Sequence, residues 1–88
     1  MSLEERFNEA AEKIKGVPAS KTSNEEKLKL YALFKQVTVG DCNTDRPGML
    51  NMAGRAKWDA WKGLEGTSKD DAMTQYITEA DRQLAAYA

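Results

Sequence analysis

The chain has 88 residues, 31% charged and 41% hydrophobic, with 13 basic and 14 acidic side chains and no histidine. This is the size and balance of one water-soluble domain, and residues 1–88 are expected to form a single unit. A net charge of −1 argues against a duplex nucleic-acid partner, and the missing histidines with one cysteine, Cys42, argue against a zinc site or a histidine general base.

No apolar run is long enough to span a bilayer, the acidic start Ser2-Leu3-Glu4-Glu5 lacks the apolar stretch of a secretory signal, and a lone cysteine suits a reducing compartment. A cytoplasmic location is therefore expected.

In chain order, Ser2-x-x-Glu5 resembles a capping box, with Leu3, Phe7, Ala10, Ala11 and Ile14 on one helical face; Gly16 and Pro18 end that helix. Ser23-x-x-Glu26 is a full capping box for a second helix, whose core stripe is expected to be Leu30, Leu33, Phe34 and Val37. Gly40-Asp41 and Pro47-Gly48 are turn chemistry. Asn51 is a suitable N-cap for a third helix carrying Met52, Ala56, Ala60, Trp61 and Leu64, which Gly66 breaks. Ser68-x-x-Asp71 opens a fourth, with Met73, Ile77, Ala80, Leu84 and Tyr87 at helical spacing.

Strand-like alternation is absent, so the expected class is all-α, a four-helix bundle. The link from about Val39 to Leu50 can stretch about 40 Å, whereas a fifteen-residue helix is only about 22 Å long. That loop can run back along the bundle, which predicts an up-down-down-up order with the second and third helices pointing the same way.

Tyr31 and Lys35 share a face of the second helix apart from its core stripe, and Lys57 precedes Trp58 on the third. Lysines and aromatics converging from two helices suit a ligand with phosphates and a flat ring, bound rather than transformed. Each pair taken alone equally describes edge tyrosines with solvated lysines. Trp61 reads as a core anchor, Trp58 as half exposed, and Tyr76 as offset from the Met73/Ile77 stripe, able to show its ring to a groove. The loop acids Asp41 and Asp45 lack a calcium-loop pattern and Cys42 has no histidine to activate it, so locking the loop explains these residues better than catalysis or a metal.

The residues Tyr31, Lys35-Gln36, Thr38-Val39-Gly40-Asp41, Asn43-Thr44, Arg46-Pro47-Gly48-Met49-Leu50, Gly54, Ala56-Lys57-Trp58-Asp59-Ala60-Trp61, Gly66-Thr67-Ser68-Lys69, Asp71-Ala72-Met73 and Tyr76-Ile77, with Phe7, Ala10-Ala11 and Glu25-Glu26 before them, resemble the acyl-CoA-binding protein family. The resemblance covers essentially the whole chain. It implies a non-catalytic protein that binds, buffers and transports medium- to long-chain acyl-CoA esters inside the cell. It further implies that Tyr31, Lys35 and Lys57 hold the CoA 3′-phosphate and adenine, that Tyr76 packs at the adenine end, and that Lys15 reaches a phosphate. Phe34 joins the ligand set at a position where the family often has tyrosine, and Ala11, Lys27 and Leu28 are candidates for the acyl groove. Lys27 and Lys29 fall where apolar residues are common, and Cys42 replaces an aliphatic one.

No cofactor and no metal are implied, only the ligand. The implied state is a monomer, without nucleic-acid contacts but open to transient contacts with a membrane or with acyl-CoA-using enzymes. An enzyme fragment and a helical scaffold for a protein partner are the alternatives.

Overall fold

A computed structural model describes residues 1–87 as four helices, α1 (Leu3–Ile14), α2 (Asn24–Thr38), α3 (Met52–Lys62) and α4 (Lys69–Tyr87). Both expected capping boxes form: Ser2 and Glu5 exchange side-chain and backbone bonds at the start of α1, as do Ser23 and Glu26 at α2. Asn51 caps α3 by accepting from the Gly54 N–H at 3.0 Å, and Ser68 accepts from the Asp71 N–H at 3.1 Å at the head of α4. A side chain at position 54 would meet the Asn51 amide at 2.5 Å, so the Asn51 side chain would have to turn to admit one. Gly66, at φ +88°, turns the chain from α3 into α4.

Backbone packing runs α1 against α4, α4 against α2, and α2 against α3. Side-chain pairs fix the directions. Phe7 meets Tyr76 with ring centroids 4.9 Å apart, and one helical turn further Ala10 and Lys13 share a depression with Ile77 and Asp81, so α1 and α4 are parallel. Glu26 reaches Arg82 and Lys29 reaches Glu79, while Gln36 reaches Thr67 just ahead of α4, so α2 is antiparallel to α4. Tyr31 faces Lys57 and Lys35 faces Trp61, so α2 and α3 are parallel. The order is up-down-down-up, as the long second loop predicts.

The core is Phe7, Ala10, Leu30, Leu33, Val37, Ala72, Met73, Tyr76, Ile77 and Ala80, with Trp61 buried beside α2. Two expected core positions are corrected. Phe34 is 41% exposed, because its ring touches Phe7 of α1 and Tyr76 of α4 on one side only, at the opening where α1 and α2 do not pack. Met52, at 78%, shares the outer side of α3 with Arg55 and Asp59, facing away from α2.

The connecting loop is locked as its composition suggests. Trp61 Nε1 donates to the Gly40 carbonyl and Trp58 Nε1 to the Thr44 carbonyl, each at 2.8 Å. Asp41 accepts from the Gly66 N–H and from the Gln36 amide, which in that order hold its carboxyl below its usual pKa. Arg46 forks onto Asp59 at 2.8 and 3.0 Å.

Candidate functional site

Tyr31 and Lys35 lie one turn apart on α2, and Lys57 and Trp61 lie one turn apart on α3. Because the two helices run in parallel, each lysine meets the other helix's aromatic ring. Lys57 Nζ sits 5.5 Å from the Tyr31 ring centroid and Lys35 Nζ 5.0 Å from that of Trp61. The order aromatic-then-lysine on one helix and lysine-then-aromatic on the other produces this reciprocal pairing. That inverse spacing is a signal the sequence carries; a reading of Trp61 as only a core anchor misses its part in seating Lys35.

A ring face attracts an ammonium group through its quadrupole while adding no net charge. Lys13, Lys15, Lys29 and Lys62 are instead paired with Glu9, Glu12, Glu79 and Glu65. Among the described residues neither Lys35 nor Lys57 is in an ion pair. Their charges are held in place yet left uncancelled. The α2–α3 seam thus presents positive charge that no acid of the described residues cancels.

The same face of α2 continues into an aromatic trio. The Phe34 ring stacks on Phe7 at 5.8 Å and tilts against Tyr76 at 6.3 Å, bridging α1, α2 and α4. Tyr76 is 4% exposed, a core residue rather than an open groove face, and burial alone pushes its phenol pKa upward. The exposed member of the trio is Phe34.

Lys15 stands apart, at the C-cap of α1, its Nζ 3.2 Å from Glu12. Of the acyl-groove candidates, Ala11 and Leu28 are half-buried and Lys27 is exposed. Lys27 borders a shallow apolar cleft of about 290 Å³ whose other walls include Ile14, Val17, Ala19, Thr22 and Leu30; Ala11 and Leu28 are outside it. Among the described residues no group of acidic, cysteine or histidine side chains is arranged to hold a metal, and no helix is long and apolar enough to cross a membrane.

Such a surface, an all-α bundle presenting aromatic-seated lysines beside apolar ring faces, defines a binder of amphiphilic anions. The family model described as Acyl CoA binding protein matches residues 4–80. An acyl-CoA-binding protein of Ricinus communis is 56% identical over 88 residues, covering 100% of this chain and 97% of that protein. Acyl-CoA-binding domain-containing protein 3 of Oryza sativa subsp. japonica is 61% identical over 79 residues, but the chain spans only 50% of that protein. The crystal structure of Oryza sativa acyl-CoA-binding protein 2 superposes with a TM-score of 0.91 at 52% identity, covering 97% of this chain and 93% of that one. The chain belongs to the acyl-CoA-binding protein family.

Proposed function

We infer that the protein binds acyl-CoA esters without transforming them, and that its 88 residues act as one monomeric carrier and buffer of the ester in the cytoplasm. The observation that carries this reading is the pair of uncancelled lysines seated on aromatic rings across the α2–α3 seam.

Coenzyme A presents a 3′-phosphate, a diphosphate and a flat adenine. Lys35 and Lys57 act as point charges with three donors each for the phosphates, while the Tyr31 ring and hydroxyl serve the adenine and ribose end. Phe34, backed by the buried Tyr76, extends that surface toward α1, where Lys15 adds a mobile cation once it leaves Glu12. The fatty chain is assigned to the opening between α1 and α2, along Ala11, Leu28 and the Lys27 stem, and from there toward the Ile14–Leu30 cleft.

Both halves of the ligand are needed for tight binding. A charge-assisted hydrogen bond contributes about 1.5–3 kcal/mol. A buried methylene contributes about 0.8 kcal/mol, which accumulates along a medium or long chain before ordering costs are subtracted. No metal or cofactor enters this scheme. The chain has no histidine to activate Cys42, whose Sγ meets the Thr44 carbonyl and hydroxyl at 4.0 and 3.8 Å and lies near the Lys62 charge, itself paired with Glu65.

Calorimetric titration with palmitoyl-CoA, free CoA and palmitate tests the reading. The ester is expected to bind stoichiometrically and far more tightly than CoA, with palmitate weaker still. Equal affinity for CoA and palmitoyl-CoA, or release of free CoA by the purified protein, would overturn it.

A further inference from the structure

The cleft assigned to the far end of the fatty chain is not uniformly apolar. Ile14, Val17 and Leu30 give a hydrocarbon tail what it needs, but Thr22, Lys27 and Gln83 line the same space of about 290 Å³. Lys27 lies two helical turns before Lys35, so its stem leaves α2 about 12 Å along the axis from the end of the seam assigned to the phosphates. Lys29 is paired with Glu79, whereas Lys27 is in no ion pair among the described residues. Its stem covers apolar wall while its ammonium group keeps all three donors for something else.

Gln83 supplies the opposite half of a polar contact. It is 1% exposed, and its Nε2 donates to Glu79 at 2.9 Å and to the Glu26 carbonyl at 3.3 Å, which commits both amide hydrogens. Its carbonyl oxygen meets no donor among the described residues and remains able to accept. A donor and an acceptor on one apolar cleft discriminate between chain ends. A methyl group satisfies neither. A carboxylate accepts from Lys27 but has no hydrogen for Gln83. A hydroxyl does both at once, accepting from Lys27 Nζ and donating to the Gln83 oxygen. Sites with placed polar groups of this kind favour the hydroxylated ligand over its bare analogue, which leaves them unpaired.

We propose that this cleft selects acyl-CoA esters whose chain carries a hydroxyl at or near its far end, with Lys27 as donor and Gln83 as acceptor. The proposal rests on the carrier reading, because the fatty chain must enter the cleft.

Calorimetric titration with palmitoyl-CoA, ω-hydroxypalmitoyl-CoA and the corresponding ω-carboxy ester tests it, in wild type, Lys27→Met and Lys27→Arg. Lys27 is exposed, so these substitutions leave the core untouched. Wild type is expected to bind the hydroxy ester about fivefold more tightly than palmitoyl-CoA, and the carboxy ester less tightly than the hydroxy ester. Lys27→Met should lower the preference for the hydroxy ester by about tenfold or more, making palmitoyl-CoA the tighter ligand. Lys27→Arg should keep the wild-type order, since a guanidinium group still donates. Tight palmitoyl-CoA binding with a weaker hydroxy ester in wild type would overturn the proposal and leave the carrier reading intact. A preference unchanged by Lys27→Met would do the same. Tighter binding of the carboxy ester than of the hydroxy ester would also overturn it, by making Lys27 a plain counter-ion and removing the part of Gln83. Failure of wild type to bind any of the three esters would overturn both the proposal and the carrier reading.

Discussion

Helix α2 faces two polar seams of opposite character. Toward α3 it presents Tyr31 and Lys35, meeting Lys57 and Trp61, with cations that have rings but no counter-charges. Toward α4 it presents Glu26 and Lys29, meeting Glu79, Arg82, Gln83 and Tyr87 in a closed network. Arg82 bridges Glu26 and Glu79 at 2.7 and 2.6 Å, Gln83 donates to Glu79 at 2.9 Å, and the Tyr87 hydroxyl donates to Glu26. Every charge in the α4 seam is answered from within the fold, so that seam holds the bundle together. The α3 seam keeps its charges in reserve, which is what a ligand site requires.

Substitutions should separate the two seams. The largest effect is expected from Lys35→Ala with Lys57→Ala: palmitoyl-CoA affinity falls by about a hundredfold or more in calorimetry, with little change in melting temperature. Glu79→Ala should do the reverse. Glu79 is 6% exposed, and removing it takes one of two acceptors from each of Gln83 and Arg82 and the ion-pair partner from Lys29, at a cost of about 1–3 kcal/mol in chemical denaturation with ligand affinity unchanged.

Acid should act on the same seam. Bonds from Arg82 and then Gln83 lower the Glu79 pKa to about 2, and the Ser23 N–H followed by Arg82 lowers that of Glu26 to about 2. Both carboxylates bind protons less readily folded than unfolded. Their stabilisation is therefore complete above the unfolded value of 4.5 and lost as pH falls toward 2, so the melting temperature should drop across that interval. In Glu79→Gln the drop should be shallower. The smallest effect is expected from Trp58→Phe, which removes the bond to Thr44 and part of a half-buried ring: about 1 kcal/mol in chemical denaturation, and a change in palmitoyl-CoA affinity of less than about threefold.

Local features were the legible ones in the sequence. Capping boxes join residues three apart, so Ser2/Glu5 and Ser23/Glu26 declare themselves without knowledge of the fold. The parallel α2–α3 pair was expected from loop reach, which permits it, and the Tyr31–Lys57 and Lys35–Trp61 pairs fix it. The α4 seam was illegible because its members are distant: Arg82 and Glu26 lie 56 residues apart, and helical periodicity reads Glu79 and Gln83 as solvated polar residues. Gln36, 1% exposed, looks equally ordinary until Asp41 and Thr67 fold over its amide. Phe34 and Met52 fail for another reason. Periodicity assigns an apolar residue to a face, but whether a neighbour covers that face depends on which helices pack, and none covers the outer side of α3. At the proposed ligand site, Tyr31, Lys35 and Lys57 were legible as candidates, while the pairing of each lysine with a ring needed the parallel register.

The role proposed for the lysines of the α2–α3 seam is to grip the phosphates of the ligand. The most direct measurement is a four-way calorimetric comparison of palmitoyl-CoA and its analogue lacking the 3′-phosphate, each titrated into wild type and into the Lys35→Ala, Lys57→Ala double variant. Loss of the 3′-phosphate should weaken binding strongly in wild type and barely in the variant. An equal loss in both proteins would show that the phosphate is held elsewhere.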